Sequence, residues 1–184
     1  MMKKHFVITL QNLKNRGENM KVALVGPSEL SAFDKKDIHN YVDAIAQEHE
    51  IALLAYRSIE VEVFKYFVNH SELASQLHVY TFQKLIHMPE ALRTSIEFLV
   101  SKGASYHSFD YDEVLVNRDT YIRAWRDIVD VSDLVVSFYD SKKTTLMIPI
   151  DEAKSKNKKG LVYYLPGLNE DKFKQAADKK MRFV

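Results

Sequence analysis

A chain of 184 residues with 46% hydrophobic content suits one globular domain that buries most of its unfolded surface without staples. The absence of cysteine excludes disulfides, thiolate metal sites and a cysteine nucleophile, and the seven histidines show neither HxH nor HExxH spacing, so no metal and no cofactor is expected. The formal net charge of +1 conceals an asymmetry: residues 1–19 carry about +3, residues 154–184 about +6 and the middle about −8.

Taken in chain order, the N-terminus comes first. Phe6 to Leu10 is apolar but too short for a signal sequence, and no run approaches the roughly 18 residues that span a membrane, so a cytoplasmic protein without a membrane partner is expected. The commonest codons for Arg16-Gly17-Glu18-Asn19-Met20 are purine-rich, like a bacterial ribosome-binding site. Residues 1–19 are accordingly expected to be a translated leader ahead of a true start at Met20, in a bacterial or phage protein.

From Met20 the pattern is regular. Lys21 to Val25 reads as a strand ending at the turn Gly26-Pro27-Ser28, and residues 33–48 read as a helix with Ile38, Tyr41, Val42 and Ile45 on one face. Ile51 to Ala55 repeats the strand signal, Tyr56-Arg57-Ser58 breaks it, and Glu60 to Asn69 is helical. Leu77 to Phe82 is a third strand, followed by a helix opened by Pro89 and stopped at Gly103. Ser105 to Phe109 is a shorter, more polar strand. The helix 117–131 then carries an apolar stripe with Tyr121 and Trp125, read as core packing ahead of a base-stacking role. Leu134 to Tyr139 is nearly unbroken in apolarity, as a strand covered on both faces requires. A helix over 144–155, a strand over 161–165 and a terminal helix over 170–181 complete the series.

This βα alternation predicts an α/β fold: a doubly wound, mainly parallel, three-layered Rossmann-like sheet over residues 20–168, with a basic C-terminal helix or tail over 169–184. Ligands of such sheets sit at the carboxyl ends of the strands. The loops there supply the candidate site: Gly26, Pro27 and Ser28 after the first strand, Arg57 and Ser58 after the second, Lys143, Thr144 and Thr145 after the fifth, with Arg126 nearby. Each has a plainer reading as well. Ser28 or Ser31 is a helix cap, Arg57 a surface ion pair, Thr144 an N-cap.

The segment VALVGPSE, together with YIRAWRDIVDVSDLVVSFYDSKKTTLMIPIDEAK and GLVYYLPG, resembles the SLOG superfamily, which includes lonely-guy phosphoribohydrolases, DNA-processing protein A domains and YpsA-like proteins. It is also similar to the nucleoside 2-deoxyribosyltransferases. The departures are specific. The glycine-rich loop after the second strand is here Tyr56-Arg57-Ser58-Ile59, Ala124 and Trp125 stand where many members carry an Arg-Asn pair, and the neighbourhood of the transferase nucleophile is the apolar Leu146 to Pro149.

The resemblance implies binding of a nucleotide or nucleoside-derived small molecule, in a regulatory or sensing role, by a protein that self-associates as a homo-oligomer such as a dimer. A second reading is an N-glycosidic-bond hydrolase or transferase using Glu29, Asp110 or Asp140, since a catalytic carboxylate must lie within hydrogen-bond reach of the reacting atom. A third is an interaction protein without a ligand. Nucleic acid is not expected as a partner, because the acidic body opposes a polyanion and no basic patch interleaved with aromatics appears.

Overall fold

The computed structural model describes residues 19–111, 115–165 and 181–183. Six parallel strands build the sheet: β1 (Lys21–Val25), β2 (Glu50–Leu54), β3 (Leu77–Thr81), β4 (Ser105–Ser108), β5 (Leu134–Tyr139) and β6 (Lys159–Tyr164). A short seventh strand, β7 (Met181–Phe183), runs antiparallel beside β6, and the order across the sheet is β4-β3-β2-β1-β5-β6-β7. The chain therefore winds outward from β1 to β4, crosses back, and winds the other way from β5. The reversal falls between β1 and β5.

The helices are α1 (Ala32–Ile45), α2 (Glu60–Asn69), α3 (Glu90–Ser101), α4 (Arg118–Asp130) and α5 (Ile148–Ser155). Two separate cores show how they are distributed. Ile38, Tyr41 and Ile45 of α1, Val63 and Phe67 of α2, and Ile96 and Leu99 of α3 pack with Val22, Leu24, Leu53 and Val136 on one face. Ala124, Trp125 and Ile128 of α4 and Ile150 and Ala153 of α5 pack with Ala23, Val25, Ala52 and Val135 on the other. Alternate residues of β1 feed opposite cores, which is why the strand is apolar throughout. The doubly wound, mainly parallel sheet expected from the sequence is the fold that forms.

The differences are local. The expected helix over 144–155 opens as a 3-10 turn, Thr144–Met147, and becomes α-helical only at Ile148. Pro149 sets this limit, because its ring clashes with the carbonyl four residues back unless it lies in the first helical turn. A 3-10 turn over Ser71–Gln76 also precedes β3. The region expected as a basic C-terminal helix or tail ends in a strand, β7, pairing Leu161 with Phe183 and Tyr163 with Met181. Met-Arg-Phe alternates at the two-residue period of a strand, and pairing there covers the open edge of β6. The rest of that expected helix, the turn Pro166-Gly167 and residues 1–18 of the expected leader over 1–19 lie outside the described residues. Among the described residues, no helix is long and apolar enough to cross a membrane.

Candidate functional site

Where the winding reverses, the turns after β1, β2 and β5 and the first turn of α4 enclose a cleft of about 340 Å³. Open α/β sheets receive ligands at this kind of switch point.

Gly26 forms part of its wall. A Cβ there would lie 2.5 Å from Ile59 Cγ2 and 3.1 Å from Phe138 Cβ, so only glycine lets the turn pass between β5 and the start of α2. Its N–H donates to Ser58 Oγ at 3.1 Å, and its carbonyl accepts from the same hydroxyl at 2.8 Å. The buried Ser58 thus fastens the first turn to the second rather than presenting its hydroxyl to a ligand. Pro27 is buried beside Gly26, and Ser28 is exposed. Helix capping falls to Ser31, whose Oγ accepts the Asp34 N–H at 3.1 Å while the Asp34 carboxylate accepts the Ser31 N–H at 3.0 Å.

Arg57 occupies the left-handed region at φ 47°, a conformation that costs a non-glycine residue about 1–2 kcal/mol. Glu60 explains how it is held. Its Oε2 accepts the Ser58 N–H at 2.6 Å, and the carboxylate is almost fully buried at the start of α2. Burial raises the Glu60 pKa, opposed by backbone N–H groups of Glu60, Ser58 and Arg57 that favour the charged form. The Arg57 side chain itself is exposed at the cleft, its guanidinium carbon 5.6 Å from the Tyr56 ring centroid.

The mouth of α4 closes the cleft from across the sheet. Asn117 Oδ1 accepts the Thr120 N–H at 2.9 Å and Thr120 Oγ1 accepts the Asn117 N–H at 3.0 Å, so the helix starts at Arg118, beside the cleft. The positive end of the helix dipole and the Arg118 guanidinium are thereby brought to the same place. One turn on, Tyr121 lines the cleft and burial pushes its pKa up to about 12. Trp125 is 1% exposed and belongs to the core.

After β5, Asp140 Oδ1 accepts the N–H groups of Lys142 and Lys143 at 2.9 and 3.0 Å, with Ser141 at φ 62°. The Lys143 and Thr145 side chains then line the cleft. No side-chain cap holds the helical turn from Thr144, and Thr144 is exposed without lining the cleft. Among the described residues, no carboxylate pairs with Arg57, Arg118 or Lys143.

Of the residues expected at the site, the structure brings together Gly26, Arg57, Ser58, Lys143 and Thr145. Arg126 lies eight residues along α4 from Arg118, about 12 Å at 1.5 Å per residue, and its Nε is 3.5 Å from Glu152 Oε2. None of the three candidate acids lines the cleft. Glu29 is exposed, Asp110 Oδ2 sits 2.8 Å from Lys84 Nζ beside the edge strand, and Asp140 is engaged by its own turn. Tyr56, Asn117, Arg118 and Tyr121 are the polar and aromatic cleft residues that sequence reasoning missed, beside the apolar Val116, Leu146 and Ile148. The Asn117-x-x-Thr120 cap was the available signal for Arg118. Among the described residues no cluster of three or more His, Asp and Glu could hold a metal ion.

Fold and site together define a Rossmann-like α/β domain with a cation-lined cleft at its switch point. No protein-family model matches the chain, and no curated protein matches it in sequence. Solved structures do. DNA processing protein A from Helicobacter pylori, whose structure describes a single-stranded DNA binding mode, matches with a TM-score of 0.62 at 17% identity, over 87% of this chain and 72% of that one. DNA processing protein A from Streptococcus pneumoniae matches with a TM-score of 0.62 at 14% identity, over 88% of this chain and 55% of that one. The domain has a fold similar to that of DNA processing protein A.

This corrects one expectation. Nucleic acid was set aside because the body of the chain is acidic, yet the H. pylori protein that this fold is similar to binds single-stranded DNA. A charge total summed along the sequence does not describe the field in a cleft, where Arg57, Arg118 and Lys143 gather while Asp34 and Glu62 are buried among their own partners.

Proposed function

We propose that the domain binds single-stranded nucleic acid, seating a nucleotide unit in the switch-point cleft. The observation that carries this reading is the convergence of Arg57, Arg118 and Lys143, none paired with a described carboxylate, on one cleft that also contains Tyr56 and Tyr121. Cations track a phosphate backbone, and aromatic rings accept bases with little regard to sequence. The likeness to a single-strand-binding fold supports the same reading. The cleft volume of about 340 Å³ suits one nucleotide unit rather than a long stretch at once.

Fluorescence anisotropy with a labelled 12-nucleotide single strand tests it. Saturable binding by the native chain is expected, weakened by Arg57→Ala, Arg118→Ala and Lys143→Ala. Undetectable binding, or variants that bind as the native chain does, would remove the basis of the proposal.

A further inference from the structure

Backbone N–H groups at strand-to-helix turns are the usual cradle for a terminal phosphate. After β1, β2 and β5, several of these groups are already engaged by the chain. After β2, the Glu60 carboxylate accepts the Ser58 N–H at 2.6 Å from a buried position behind Arg57. After β5, the Asp140 carboxylate accepts the N–H groups of both Lys142 and Lys143, at 2.9 and 3.0 Å. After β1, the Gly26 N–H is held by Ser58 Oγ at 3.1 Å. Each carboxylate thus takes up turn N–H groups that an open turn would offer to a phosphate. The cationic side chains of Arg57, Arg118 and Lys143 remain available to an anion.

The two kinds of phosphate make different demands. A terminal phosphate is close to a dianion, needs several converging N–H donors, and is repelled by fixed carboxylates nearby. An internal phosphodiester carries a single charge and is held by side chains that flank the strand. We propose that Glu60 and Asp140 are specificity-determining residues, acidic side chains that occupy the turn N–H groups and so direct the cleft toward phosphodiesters and away from terminal phosphates. The proposal rests on the reading of the cleft as a nucleotide site.

The test uses the full chain and two small ligands, thymidylyl-thymidine, which has one phosphodiester and no terminal phosphate, and thymidine 5′-diphosphate. Calorimetric titration of the native chain is expected to favour the phosphodiester by about ten-fold. Asp140→Ala frees the Lys142 and Lys143 N–H groups and is expected to raise diphosphate affinity several-fold relative to phosphodiester affinity. Asp140→Asn, which keeps an acceptor for those N–H groups while removing the charge, is expected to shift the ratio in the same direction by less, and it serves if the alanine variant does not fold. Equal affinity of the native chain for both ligands, or a ratio unmoved in the variant, overturns the inference while leaving the cleft reading in place. Binding of neither ligand, nor of the 12-nucleotide strand, overturns both.

Discussion

The two ends of the parallel strands treat charge in opposite ways. At the amino ends, Lys21 Nζ lies 3.1 Å from Glu50 Oε2, the His78 ring reaches the same oxygen at 2.8 Å, and Lys156 pairs with Asp130. Lys158 Nζ donates to three carbonyls at the end of α4, those of Val129, Asp130 and Ser132, at 2.8, 2.6 and 2.9 Å. That lysine closes the negative end of the helix whose positive end opens on the cleft. Around the cleft at the carboxyl ends the arrangement is reversed: Glu60 and Asp140 are engaged by backbone N–H groups, and Arg57, Arg118 and Lys143 have no described carboxylate partner. The pair of Lys84 with Asp110 at that end lies out by the edge strand. Charge at the amino ends is satisfied within the fold; the three cleft cations at the other end are available to a ligand.

The sharpest way to break this contrast is at Gly26. Gly26→Val places a branched side chain against Ile59 and Phe138, where even a Cβ would sit 2.5 Å from Ile59 Cγ2. Overpacking of this kind costs about 1–3 kcal/mol or more, so thermal unfolding should show a lower Tm together with loss of strand binding. The next comparison exchanges the two ends. Arg57→Ala should weaken strand binding about ten-fold while stability stays within about 0.5 kcal/mol. Lys158→Ala should cost about 1–2 kcal/mol in denaturant unfolding, because it strips donors from the end of α4, and should leave binding intact. Equal effects of the two changes on binding would show that the ends are not specialised.

Salt sharpens the same division more gently. The two phosphates flanking one seated nucleotide predict a slope of log K against log salt of about −1.4 for a single strand, and Arg118→Ala should reduce its magnitude by up to about 0.7. The smallest effect expected is on pH dependence. Burial raises the pKa of Glu60 in the folded chain from 4.5, so the folded state holds that proton more tightly than the unfolded state. Its contribution is fully present below the unfolded value and is lost as pH rises through the folded one. Glu60→Gln should flatten that part of the stability–pH curve. At the other end, Glu50 is lowered despite partial burial, through hydrogen bonding to Lys21 and the charges of Lys21 and His78, and should contribute with the opposite sign.

The parts of this molecule legible in the sequence are those that a single strand or turn determines. The unbroken apolarity of β1 and β5, the glycine after β1 and the lysine-threonine turn after β5 each announce themselves locally, and they locate the switch point. Arg118 does not, because its place depends on a crossover that carries α4 from the far edge of the sheet back over β1. Arg126 looks equivalent in sequence, yet the helix sets it well below the cleft and against Glu152. The strand β7 was hidden for a similar reason: three residues acquire a structure only from the edge they meet. The role of Glu60 lay in a contact with its own turn, which no spacing reveals.

The reciprocal hydrogen bonds between Gly26 and Ser58 bear on how the cleft opens and closes. They join positions 32 residues apart, at the ends of neighbouring strands β1 and β2. Separating the two turns would break both of these buried bonds where the central strands end, a costlier opening than reorientation of side chains at the rim. Amide exchange at Gly26 should report that event, slow and insensitive to occupant, while the long side chains at the rim reorient on the nanosecond scale to admit a strand.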